Sequence, residues 1–249
     1  MIIGIGLLLT LVAIPALYSL VQNEHVASIY VINLLISDLL QFCCMIADVA
    51  QPASLKIFYY IYLYSLAASV CFMVGIALER YLVIVFPVWY RCRRTIKTSV
   101  VICVMAWALS AFHPIAQCFS FNNIMKTIDI VFLLLPLPPL IFFLVGTLKA
   151  LSTSISVPAD EKRRIVGTLV LVLLIYTLLF LPNTILAVLN RLNVYTSHIL
   201  VYLSLVFVRL SPLADLVLYI FMKKGAVDKL LASVCCCRME SIDVISIPV

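Results

Sequence analysis

Residues 163–189 read RRIVGTLVLVLLIYTLLFLPNTILAVL, and no charge interrupts the stretch from Ile165 to Asn190. A helix rises ~1.5 Å per residue, so about 20 apolar residues cross ~30 Å of hydrocarbon. Barrel strands would alternate polar and apolar positions, whereas this run is apolar on nearly all sides, which selects a helix. Similar runs occupy roughly 2–22, 27–49, 56–86, 98–117, 128–151 and 198–222. Composition points the same way. Of the 249 residues, 65% are hydrophobic and only 11% charged, against about 25% charged in soluble domains. So few charges cannot clothe a water-exposed surface, and the solvent over most of the chain is lipid. The expected fold is all-α: a seven-transmembrane helix bundle over 1–222, then an amphipathic helix and cytoplasmic tail over 223–249. Short connections make consecutive helices antiparallel neighbours. Pro136, Pro138 and Pro139 are expected to kink the fifth run.

The basic residues set the orientation. Arg80, Arg91, Arg93, Arg94, Lys97, Lys149, Lys162, Arg163, Arg164, Lys223, Lys224, Lys229 and Arg238 fall on one side of the bundle. Lys56, Lys126 and Arg191 fall on the other, and Arg209 is left within the seventh run. This bias predicts an extracellular N-terminus and a cytoplasmic C-terminus in a multi-pass plasma-membrane protein, with the first helix as its insertion signal. The net charge of +6 comes in clusters between apolar runs, so membrane lipids rather than nucleic acid are the expected partners. Lys223 to Val234 carries apolar residues on one face and would lie along the inner leaflet. Cys235, Cys236 and Cys237 follow it as candidate palmitoylation sites, the alternative being plain free thiols. Zinc-type spacings, a phosphate loop and H-E-x-x-H are all missing, so no enzyme is expected. A transporter would need inverted repeats, and none is visible.

Glu79-Arg80-Tyr81 is followed by Ile84, Pro87 and Tyr90. This E-R-Y-x-x-I-x-x-P-x-x-Y pattern, at the inner end of the third run, resembles the signature of rhodopsin-like (class A) G-protein-coupled receptors. Further matches run along the chain: Asn33 to Asp38 in the second run, Trp107 in the fourth, Phe180-Leu181-Pro182 in the sixth, and Asp215 to Tyr219 in the seventh. Asp215 and Phe180 are weakly similar to the branch holding nucleotide, lysolipid and proton-sensing receptors. The resemblance implies that Glu79 holds Arg80 at rest and that Arg80, with the Pro87 loop, meets a heterotrimeric G protein. Pro182 and Tyr219 would form the activation hinge as the sixth helix swings outward. The implied partner on the other side is a small-molecule or lipid ligand.

Asp38 and Asp215 are expensive in a membrane and are expected to face the interior. Ser69 matches a family position that joins them around a sodium ion. Two readings stay open for the three residues: a sodium- or proton-dependent switch, or a water-filled network that only holds helices together. The family places Arg209 in the ligand pocket, with Phe180 nearby. A guanidinium there suits an anionic ligand, or an internal ion pair with Asp48; a ligand displacing the pair would reconcile the two. A lysine at that position would be needed for retinal, so sodium is the one cofactor considered. His113 and His198 are read as packing or surface residues.

Some positions depart from the family. Leu55 stands where the outer cysteine of the third helix is usual, leaving Cys118 without an evident partner across a short 118–127 loop. Thr10 replaces the asparagine of the first helix, and Leu216 the proline of the seventh, with Pro212 one turn earlier. Lys162 stands where many relatives carry an acid, which predicts a weak resting lock. These departures keep a non-signalling or decoy receptor fold as the alternative.

Overall fold

The computed structural model describes residues 27–50, 55–88, 90, 96–119, 122–153, 159–192, 194 and 197–222. Nine helices are described: α1 (Ala27–Ala50), α2 (Leu55–Val85), α3 (Ile96–Ser110), α4 (Phe112–Phe119), α5 (Asn122–Leu134), α6 (Leu137–Thr153), α7 (Ala159–Arg191), α8 (His198–Arg209) and α9 (Ser211–Met222). No strand occurs among the described residues. Six helical stretches are long and apolar enough to cross a membrane: Ile29–Asp48, Ile57–Val85, Lys97–Gln117, Ile130–Ser152, Lys162–Arg191 and His198–Phe221. The chain is a multi-pass membrane protein. The first expected span, 2–22, the amphipathic helix from Lys223 and the Cys235, Cys236, Cys237 triplet lie outside the described residues.

Three spans are broken, and prolines account for the breaks. Proline has no N–H and clashes with the carbonyl four residues back. Pro114 thus deprives Ser110, and the chain turns at Ala111 between α3 and α4. Pro136, Pro138 and Pro139 surround the expected kink between α5 and α6. The carbonyl of Leu133 at that break accepts a hydrogen bond from the Tyr176 hydroxyl of α7 at 2.7 Å; a freed carbonyl in lipid needs such a neighbour. Pro212 deprives Val208, and the Leu210 amide bridges Val206 O and Phe207 O at 3.1 Å each between α8 and α9. Pro182, by contrast, lies inside an unbroken α7.

Some boundaries differ from expectation. The fourth span continues as helix to Phe119 and α5 begins at Asn122, so Cys118 and Lys126 lie on helices rather than in a 118–127 loop. Helix α7 starts at Ala159, which puts Lys162, Arg163 and Arg164 in its first turns rather than in a loop. Arg209 is not mid-helix: it closes the last turn of α8. Periodicity misses the ends near Cys118 and Ala159 because a polar turn of helix projecting beyond the lipid has loop-like composition, and the end at Arg209 because the Pro212 break falls within a continuous apolar run.

The bundle is built around α2, which packs against α1, α3, α4, α6 and α7. Helix α9 packs on α1 and α7, α8 on α7, and α5 and α6 also on α7. Large apolar side chains such as Val101, Leu109, Phe142 and Leu178 point outward. Ser37, Asp38, Gln41, Ser65, Ser69, Ser211 and Asp215 are completely buried. With lipid as solvent, apolar surface gains nothing by hiding, and polar groups gather inside where they find partners.

Candidate functional site

The polar groups form a seam with three stations. At its centre, α1 supplies Asp38, α2 supplies Ser69 and α9 supplies Asp215. The Ser69 hydroxyl donates to Asp215 Oδ2 at 3.0 Å. The Asp38 and Asp215 carboxyl groups are close enough to act on each other electrostatically. Both oxygens of Asp38 and Oδ1 of Asp215 are buried, and the two carboxyl groups are each other's polar neighbours. Buried hard oxygens beside a hydroxyl are the donor set a small cation or a shared proton needs. One turn along α1, where i and i+3 share a face, the Gln41 carbonyl accepts from Ser211 Oγ at 3.3 Å. Sequence reasoning missed Gln41 and Ser211; their spacing from Asp38 and Asp215 along each helix is the signal that was there.

A second polar tie holds the bundle beside this centre. Trp107 Nε1 donates to Asn33 Oδ1 at 3.0 Å, joining α3 to α1. The Trp107 ring packs edge-on against Phe72, with ring centres 5.4 Å apart.

At the basic end, α2 presents Glu79, Arg80 and Tyr81. Tyr90, beyond the end of that helix, donates its hydroxyl to Glu79 Oε1 at 2.7 Å, a short, charge-assisted bond. The tyrosine that closes the sequence pattern thus ties the connecting segment onto its first residue. Arg80 and Ile84 are half-buried and Pro87 is exposed. Tyr81 leans on Phe142 and Phe143 of α6. A Cβ on Gly146 would come within 2.6 Å of the Tyr81 ring, so a larger residue there would push the ring aside. Lys162 Nζ of α7 donates to the Leu151 carbonyl of α6 at 3.2 Å.

At the opposite end, α1, α2 and α8 border a half-open cavity of about 340 Å³ lined by Cys44, Met45, Asp48, Phe58, Tyr59, Tyr60, Tyr62 and Arg209. Asp48 and Arg209, expected as either ligand groups or an ion pair, pair at 3.5 Å. Phe180 does not join them. It is completely buried and stacks on Tyr176, ring centres 4.8 Å apart, one helical turn away on α7. Pro182 lies two residues along the same helix, and Tyr219 is buried in α9. His113 is buried and stacks on Phe132, with ring centres 4.2 Å apart, and His198 is exposed at the start of α8.

Residues 9–129, a little under half of the chain, match the family described as 7 transmembrane receptor (rhodopsin family). The chain is similar to the human Mas-related G-protein coupled receptor member X1, 31% identical over 102 residues, covering 39% of this chain and 32% of the relative. Its rat counterpart is 27% identical over 186 residues, covering 65% and 56%. The mouse Mas-related G-protein coupled receptor member X2 is 35% identical over 98 residues, covering 36% and 28%. The chain thus spans between about a quarter and just over half of the length of these relatives. None of the three carries the name of a nucleotide, lysolipid or proton-sensing receptor.

Proposed function

From the premise that this chain is a rhodopsin-like (class A) receptor by family, we propose that it binds an extracellular ligand with an anionic group and activates a heterotrimeric G protein. The observation that carries this reading is the pairing of two ends on one central helix. The Glu79–Tyr90 bond and Arg80 stand at one end of α2, and the Arg209 cavity borders the other. A ligand that prefers the bundle with its basic end open shifts the population by its differential affinity. Arg80 and Pro87 then meet the transducer, with Pro182 of α7 and Tyr219 of α9 acting as hinge. Asp38, Ser69 and Asp215 act as a sodium- or proton-dependent switch: these three side chains would hold the ion, and its charge would offset theirs while the bundle is closed. Orientation follows the basic residues, so the basic end is cytoplasmic at the plasma membrane. No catalytic role is assigned to any residue.

The test is a nucleotide-exchange assay with purified G proteins, screening anionic lipids, nucleotides and a pH series. Arg80→Ala should abolish exchange, and Arg209→Ala should weaken only the ligand response. Correctly inserted wild-type protein that engages no transducer under any stimulus would sink the signalling reading. It would leave the non-signalling receptor fold, which Leu216 in place of the seventh-helix proline favours. Lys162 stands where many relatives carry an acid, so ligand-free exchange should be raised.

A further inference from the structure

The cavity between the outer parts of α1 and α2 and the last turn of α8 has one positive and one negative side chain in its wall, and their pairing is loose. Asp48 Oδ2 meets one terminal nitrogen of Arg209 at 3.5 Å, the outer limit for a hydrogen bond. A guanidinium carries five N–H donors in a planar fork and binds carboxylates best through two of them. Most of that capacity is unused among the described residues. A singly charged ligand fits this wall poorly. An anion on Arg209 draws it from Asp48 and leaves two negative groups facing each other; a cation on Asp48 does the reverse. A ligand with both charges inserts into the pair, gives each side chain a closer partner and keeps the cavity neutral.

We infer that the cavity takes a zwitterion, namely a small aromatic α-amino acid whose carboxylate lies on Arg209 and whose ammonium lies on Asp48. This deepens the preceding reading and rests on the cavity being the ligand site. Three further observations carry it. The volume, about 340 Å³, is at the small end of ligand pockets. Phe58, Tyr59 and Tyr62 line it, offering rings to stack on and faces that attract an ammonium. The Tyr62 hydroxyl is buried without a hydrogen bond among the described residues and lies within electrostatic reach of Arg209, where a second carboxylate oxygen would satisfy it. Arg209 is 59% exposed, so its long stem is free to swing and admit the ligand.

Equilibrium binding of L-tryptophan, N-acetyl-L-tryptophan and L-tryptophan amide to the full chain in lipid nanodiscs tests this. The wild type should bind L-tryptophan about tenfold or more tightly than either derivative, the worth of one charge-assisted hydrogen bond. Asp48→Asn should turn the preference toward the N-acetyl anion, and Arg209→Gln toward the amide cation. Should either single variant fail to unfold cooperatively, the double exchange Asp48→Arg with Arg209→Asp keeps both charges and should keep the zwitterion preference. Equal affinity for the three probes, an order that the variants leave unchanged, or no binding of L-tryptophan at millimolar concentration to folded wild type overturns the proposal. The readout needs no G protein. Zwitterion selectivity without transducer activation therefore fails only the signalling reading, and activation by other ligands without that selectivity fails only this one.

Discussion

The last span is two helices of equal length with opposite surroundings. In α9, Ser211, Pro212, Asp215, Leu216, Leu218 and Tyr219 are buried; in α8, only Ser204 and Val208 are. Both are apolar, so hydrophobicity does not separate them. What does is the position of polar groups. The buried carboxylate of Asp215 and the hydroxyl of Ser211 bind partners on α2 and α1, which draws α9 into the bundle. Outward of Leu210, Ser204 is the one polar side chain that α8 buries, and the helix lies at the lipid edge with Arg209 reaching sideways to Asp48. The half that carries Asp215 is organised for a fixed packing. The outer half is organised to leave room beside it.

The largest effect that sharpens this contrast is expected at Leu218, which is completely buried. In lipid the transfer part of a Leu→Ala change nearly vanishes because the surroundings are as apolar as the core, and the cavity part remains, so Leu218→Ala should cost about 2 kcal/mol. Leu203, 48% exposed on α8, leaves no cavity, and Leu203→Ala should fall within about 0.5 kcal/mol of wild type. Thermal unfolding in one detergent compares them, and equal losses would erase the distinction. Next comes Ser69→Ala, which strips Asp215 Oδ2 of its donor. Hydrogen bonds between membrane helices average about 0.6 kcal/mol and reach about 1.7; this one is made to a carboxylate and should lie near 1. The unfolding temperature of the wild type should drop when sodium is exchanged for choline, and the variant should show a smaller drop. An unchanged sodium response would leave the centre a structural network.

How much of this was legible follows from what a one-dimensional string records. Along a helix, spacing gives depth at ~1.5 Å per residue. The family resemblance joined Asp38, Ser69 and Asp215, and with the two aspartates at one depth the spacing put Asp48 within reach of Arg209. Rotation about each axis is not recorded so directly. Phe180 was expected at the ligand pocket, yet its face of α7 turns inward onto Tyr176. The Tyr176 bond to the Leu133 carbonyl was also out of reach, because it needs both the break after Leu134 and the azimuth of α7. Pro136, Pro138 and Pro139 announced their kink. Pro114 and Pro212 produced breaks too, while Pro182 lies inside an unbroken α7, so a proline in the string marks where a helix can part and not that it does.

A smaller effect probes how tightly α9 sits. A Cβ on Gly167 of α7 would stand 2.8 Å from Cζ of Phe221. The atom it meets is the far end of a half-buried ring, which can turn toward lipid. Gly167→Ala should therefore cost no more than about 1 kcal/mol, the low end of overpacking. Phe221→Leu in the same background should restore the loss by removing the ring edge. A loss that persists in the double variant would mean that α7 needs glycine for its own backbone rather than for α9.

The smallest expected effect is the most discriminating for α8. Ser204 has two contacts: its hydroxyl donates to Val201 O at 2.8 Å within its own helix and approaches Asn183 Oδ1 of α7 at 3.5 Å. The first stays inside α8 and competes with the backbone ladder rather than joining helices. The second is at the geometric limit, where little energy remains. Removing both by Ser204→Ala should change stability by no more than about 0.5 kcal/mol, and a double-mutant cycle with Asn183→Ala should give a coupling near zero. Ser69→Ala removes a single hydroxyl of the same kind from the other half of the seam. If the two serines cost the same, α8 is anchored through Ser204 as firmly as α9 is through Asp215. The room beside Arg209 would then be fixed rather than adjustable, and a ligand would have to fit the cavity at its present size.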